Sequence, residues 1–167
     1  NSDSHVHNSE GGSDFWPGEY SKTYVWAEKT HDSIIDGVRN GRMFVTTGDL
    51  IDQLFVTLSS STNKARTGGT LSKPEGEGVK LQIRFRDPVG PNFRGDYPAV
   101  ARVDLILGEM SQGTRSTDTD SNETTRVIAR FAPDDWKSID GFSEIEYEIP
   151  SVARNSYIRV RGTNTSE

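Results

Sequence analysis

Hydrophobic residues in this chain fall mostly at every second position. Val79, Leu81, Ile83 and Phe85 alternate with Lys80, Gln82, Arg84 and Arg86. A two-residue period puts all four apolar side chains on one face of an extended strand. The same period recurs at Leu54, Val56 and Leu58; at Val103, Leu105 and Leu107; and at Val127, Ala129 and Phe131. Ile145, Tyr147 and Ile149, then Ile158 and Val160, continue it toward the end of the chain. Met43–Thr47 is a short β-branched run that stops at Gly48. Gly68-Gly69 and residues 74–78 are turn chemistry, and residues 87–98 form a loop dense in Pro, Gly and Asn. Residues 113–122 are polar and read as a protruding hairpin loop.

Seven or so strands separated by turn signals predict a mainly β fold: an immunoglobulin-like antiparallel β-sandwich with an N-terminal loop segment and one short helix. The glutamates of 144–148 and the arginines of 159–161 are expected to face one another across neighbouring strands. The arginines at 84, 86, 126, 130, 159 and 161 read as wet strand faces, and Trp136 as a core or edge plug.

One stretch departs from the two-residue period. Ile34, Ile35 and Val38 share a face at helical spacing, predicting a helix over residues 31–41. Thr30 is its N-cap, Asp32 complements the dipole in its first turn, and Asn40-Gly41 is its stop. Gly37 weakens a helix interior, so its presence predicts a close backbone contact there. His31 reads as a surface residue of the first turn. The expected organisation is a loop over residues 1–30, a connecting helix over 31–42 and a sandwich over 43–167.

Composition narrows the functional classes. Apolar residues make up 32% of the chain, which suits sheets with one wet face better than a sheet buried on both. The formal charge is −6, with the acids spread along the chain, which argues against a nucleic-acid footprint. No apolar run is long enough to span a bilayer, so no membrane partner is expected. With no cysteine there is no disulfide framework and no thiolate zinc site.

Candidate chemistry sits near the start. Two of the three histidines fall in Asp3-Ser4-His5-Val6-His7. A carboxylate and imidazoles at alternate positions of an extended segment point to one side and can serve one metal or a metal pair. Gly11-Gly12 then leads into Asp14-Phe15-Trp16-Pro17-Gly18-Glu19-Tyr20. Aromatics and Gly-Pro bends can wall a pocket, while Asp14 or Glu19 can bind metal or orient a histidine. Asp118, Asp120 and Asn122 alternate as in part of a calcium loop, but the glycine and bidentate glutamate that such a loop needs are missing.

Ser2-Asp3-Ser4-His5 resembles the last metal-binding motif of the PHP (polymerase and histidinol phosphatase) superfamily of metal-dependent hydrolases. The stretch from Asp14 to Tyr20 with Thr23-Tyr24-Val25 resembles PHP-related metallohydrolases that carry a C-terminal β domain. So does the helix of 31–42 followed by Phe44-Val45-Thr46-Thr47-Gly48. The resemblance spans residues 1–60 by motif and the remainder by pattern. It implies that Asp3 and His5 are late metal ligands of a distorted α/β barrel, and that His7, Asp14, Glu19 and Tyr20 lie near the site mouth. It implies divalent metal (Zn, Mn or Fe) and a small ester or phosphoester substrate. The earlier ligand motifs of the superfamily are absent. The chain is therefore expected to be the C-terminal fragment of such an enzyme, separated from its N-terminal barrel, inactive alone and not retaining the metal. The residues themselves leave open a different reading, a non-catalytic sandwich that binds a protein or carbohydrate.

Overall fold

A computed structural model describes residues 18–110 and 121–166. Two antiparallel sheets face each other as a β-sandwich. The larger contains β3 (Gln53–Ser59), β4 (Lys64–Arg66), β5 (Val79–Arg86), β8 (Lys137–Ile139) and β9 (Phe142–Ile149), in the order β4-β3-β5-β9-β8. The smaller contains β6 (Arg102–Glu109), β7 (Arg126–Phe131) and β10 (Ser156–Thr163), in the order β10-β6-β7. The mainly β sandwich with one short helix expected from the alternation is thus the observed architecture.

The alternation explains the core. Leu81, Ile83 and Phe85 of β5 meet Val103 and Leu105 of β6, Phe131 of β7 and Ile145 of β9 between the sheets. Burying each such side chain contributes about 1.5–3 kcal/mol. Trp136 closes one end, its ring edge-on to Phe85 at 5.4 Å, as a plug should. The polar partners of β5 face outward and form a charge ladder. Arg84 pairs with Glu144 at 3.3 Å and Lys80 with Glu146 at 3.0 Å. Arg86 grips Asp52 through two bonds of 3.1 and 2.9 Å.

That ladder corrects one expectation. The glutamates of β9 do not face the arginines of β10, because β9 lies between β5 and β8 whereas β10 pairs with β6. Alternation fixes which face a side chain takes and leaves the neighbouring strand undetermined.

Ahead of the sandwich, β1 (Ser21–Val25) pairs with β2 (Met43–Thr47) in a separate two-stranded sheet, with α1 (His31–Arg39) between them in sequence. The first of these strands corrects the expectation of an irregular loop throughout residues 1–30. Ser-Lys-Thr-Tyr-Val is half-exposed over most of its length, so no apolar alternation marks it.

The helix matches its signals. Thr30 Oγ1 accepts from the Ser33 N–H, and Asn40 caps the other end. A Cβ added at Gly37 would lie 2.5 Å from Val25 Cγ1, so only glycine lets the helix come this close to β1. Aromatic contacts fix the unit to the sandwich. Tyr24 stacks on Phe44, Trp26 tilts against Phe44 and Phe55, and Phe55 reaches Phe142.

Candidate functional site

Asp3, His5, His7 and Asp14 lie outside the described residues. Glu19 and Tyr20 are described, half-buried and exposed respectively, at the entry to β1. The β1–β2 register runs from Ser21 opposite Thr47 to Val25 opposite Met43. It therefore brings together two motifs far apart in the chain: the tail of Trp-Pro-Gly-Glu-Tyr and Val-Thr-Thr-Gly. The Gly48 N–H donates to the Tyr20 carbonyl at 3.1 Å, and Lys22 pairs with Asp49 at 2.6 Å.

The turn after β2 has an unusual backbone. Gly48 and Asp49 both have positive φ, 62° and 56°. Successive left-handed residues turn the chain sharply, and a non-glycine pays a steric cost to adopt this conformation. Thr46, only 5% exposed, holds the turn from below, its hydroxyl accepting from the Ile51 N–H at 3.4 Å.

Facing the turn is the 87–98 loop, organised by Asn92. Its Oδ1 accepts from the N–H groups of Arg94 and Asp96 at 2.9 and 3.0 Å, and its Nδ2 reaches the Gly48 carbonyl at 3.5 Å. Between turn and loop lies a small cleft of about 460 Å³, lined by Thr47, Gly48, Asn92, Asp96 and Tyr97 among others. Tyr97 is 72% exposed at its rim. The cleft offers hydroxyl, amide and carboxylate groups able to contact a polar ligand. Among the described residues no group of three or more His, Cys, Asp or Glu could hold a metal ion. His31 is exposed on the helix, as the sequence suggested.

Two carboxylates, one buried and one half-buried, escaped the sequence reading. Asp104, in the middle of β6, has no exposed surface although it points away from the core. Three guanidinium groups cover it: Arg161 at 2.6 Å, Arg102 at 3.0 Å and Arg130 at 3.5 Å. Burial alone would push its carboxyl up, but the Arg161 hydrogen bond and the charges of Arg102, Arg161 and Arg130 together hold it below the usual carboxylate value. The sequence signal was there in a lone acid inside Arg-Val-Asp-Leu-Ile-Leu, since such a group is buried only when paired.

The second is Asp87, at the end of β5. Burial pushes its carboxyl up, the Val100 backbone N–H pulls it down, and the Asp52 charge adds to the rise. One of its oxygens is buried without a hydrogen-bond partner. Its neighbour Asp52 is held by Arg86, which ties the start of β3 to the end of β5, while Asp87 reaches the Val100 backbone beyond the loop.

Comparison with models of known families, with curated proteins and with solved structures returned no match.

Proposed function

We propose that the chain is the C-terminal portion of a PHP-like metal-dependent hydrolase acting on a small ester or phosphoester, with the sandwich following a catalytic barrel. The observation that carries this reading is the outward face of α1. Ile34, Ile35 and Val38 are 45%, 36% and 45% exposed, while Gly37 is the buried residue of the helix. A surface helix ordinarily turns its apolar stripe to its own core. A stripe turned outward suits a helix that packs on another domain, and the barrel would be that domain. The bond from the Gly48 N–H to the Tyr20 carbonyl supports this reading, since two segments that carry the resemblance are neighbours in space.

In the intact enzyme the divalent metal would supply a hydroxide nucleophile and polarise the bond under attack. Asp3 and His5 would hold it, together with ligands from the barrel. The described residues offer no ligand cluster to replace those partners.

A sandwich serving as a carbohydrate- or protein-binding module would offer an aromatic-lined groove. Here Tyr24, Phe44, Trp26, Phe55 and Phe142 pack on one another, and the large groove of the sandwich is walled mainly by aliphatic, polar and charged residues, with Phe44, Phe85 and Tyr157 as its aromatics.

The test compares metal content and hydrolysis of p-nitrophenyl phosphate and acetate by this chain and by a version carrying the upstream barrel. Metal and activity in the longer protein alone are the expected result. Equal metal content and activity in both would overturn the reading.

A further inference from the structure

Outward basic residues are matched differently on the two sheets. Along β5 of the larger sheet each has its own acid: Lys80 pairs with Glu146, Arg84 with Glu144 and Arg86 with Asp52. On the smaller sheet four arginines gather around one acid. Arg161 of β10 and Arg130 of β7 are the cross-strand partners of Asp104 on either side. Arg102 lies two residues before Asp104 on β6, and Arg159 lies two residues before Arg161 on β10. Cross-strand partners and alternate residues share a face, so all four arginines belong to the outer face of this sheet.

Four guanidinium groups against one carboxylate leave an excess of three positive charges, on a chain whose formal charge is −6. Asp104 has no exposed surface, and its two oxygens are shared among Arg102, Arg130 and Arg161. Arg161 donates a hydrogen bond to it at 2.6 Å. Each guanidinium carries five N–H donors, far more in total than one carboxylate can accept. Arg130 and Arg161 keep 65% and 59% of their side-chain surface exposed. Arg159 is exposed and makes no ion pair among the described residues. Like charges at neighbouring positions of a sheet cost stability. A surplus of this kind suits a partner that supplies the missing carboxylates.

We propose that the outer face of β10-β6-β7 docks an extended acidic segment of another protein, with carboxylates at alternate positions and an aliphatic residue beside them. Arg159 and Arg161 are two residues apart, about 6.5 Å along the strand, which is the repeat of alternate side chains in any extended chain. Arg130 stands two strands from Arg161, about 9.5 Å away. A lone carboxylate or phosphate cannot reach across the whole set, whereas an extended polypeptide can. Ile106 and Val127 pair across β6 and β7 next to Arg159, and Val127 is 36% exposed. This apolar centre suits aliphatic side chains among the carboxylates better than a sugar–phosphate backbone, whose contacts are ionic and polar. The planar fork of arginine matches a carboxylate, and Asp104 is a carboxylate already held by three of these groups. Asp104 is a positioning residue here: it fixes the arginine heads and leaves their remaining donors to the partner.

Fluorescence anisotropy with a labelled peptide alternating glutamate and valine tests this on the full chain, without reference to hydrolysis. The peptide should bind, and Arg130→Gln together with Arg159→Gln should weaken it by at least roughly tenfold. Lys80→Gln, on the opposite sheet, should leave binding unchanged, and a peptide alternating lysine and valine should not compete. Arg159→Gln alone breaks no ion pair among the described residues and should weaken binding by about threefold or more, which decides the matter if the double variant folds poorly. No binding by the wild type, or equal binding by the arginine variants, would overturn the proposal. Tighter binding of a heparin oligosaccharide or a single-stranded oligonucleotide than of the peptide would overturn it too, by giving the face to a different polyanion. So would a dimer in sedimentation that the double variant disperses, which would assign the face to a second copy. Binding that appears only after residues 1–17 are removed, or after Asp118 and Asp120 are replaced by asparagine, would assign it to the chain's own acids and overturn it likewise.

Discussion

The main-chain N–H of Gly48 donates to the carbonyl of Tyr20 at 3.1 Å, extending the β1–β2 pair that joins two distant sequence motifs. The bond needs Gly48 at φ 62° and Asp49 at φ 56°. A Cβ at position 48 would meet nothing within 4 Å, so the cost of adding one is conformational alone. Gly48→Ala is expected to destabilise the chain by about 1 kcal/mol, the left-handed penalty of an ordinary residue. Urea unfolding measures it, and an unchanged midpoint would show that the turn bears no strain.

Gly37→Ala should also destabilise, against its helix propensity. Alanine gains about 1 kcal/mol in a helix interior. Its methyl would lie 2.5 Å from Val25 Cγ1, and overpacking of that kind costs about 1–3 kcal/mol. The clash is expected to win. Val25→Ala made together with Gly37→Ala should recover most of the loss, and thermal melts of the three variants decide it.

Asp104 and Asp87 should make opposite contributions to the pH dependence of stability. The folded-state value of Asp104 is lowered, so its contribution is present above the ordinary carboxylate value and is lost as pH falls through the folded value. Asp104→Asn takes the shared carboxylate from three arginines, of which only Arg102 is largely buried, and should cost about 1.5–3 kcal/mol at neutral pH. Asp87 has its folded-state value raised, so it favours folding below the ordinary value and opposes it as pH rises. Asp87→Asn should therefore stabilise at pH 7 relative to pH 3. Urea midpoints of wild type and both variants across pH 3–7 check the two signs.

The apolar face of α1 should contribute little to the stability of the isolated chain. Replacing Ile34, Ile35 and Val38 with serine is expected to cost about 0.5 kcal/mol or less per site, as at exposed positions generally. The same change should reduce self-association and dye binding. A large fall in melting temperature would mean that the face is buried against the rest of this chain.

These residues also show how far the sequence could be read. β5 was legible in full, because its four apolar residues have a strict two-residue period and all face the core. The limits of α1 were legible from Thr30 and Asn40, and the close contact from Gly37. The side to which its apolar stripe turns was not, since periodicity defines a face without saying what lies against it. β1 was missed because its residues are half-exposed on both faces. The pairing of Arg84 with Glu144, and of Arg161 with Asp104, depends on strand order, which joins segments about 60 residues apart. Of the candidate site, Glu19 and Tyr20 are placed beside Gly48, whereas Asp3, His5, His7 and Asp14 fall outside the described residues.

The most direct test of the account is to replace Asp3 and His5 with alanine, separately, in the protein that includes the barrel, and to measure bound metal and phosphoester hydrolysis. Changes to groups that merely support a ligand already cost 10–100-fold, so loss of a ligand should lower activity by about 100-fold or more, with a matching loss of metal. Full metal occupancy and undiminished hydrolysis in both variants would contradict it.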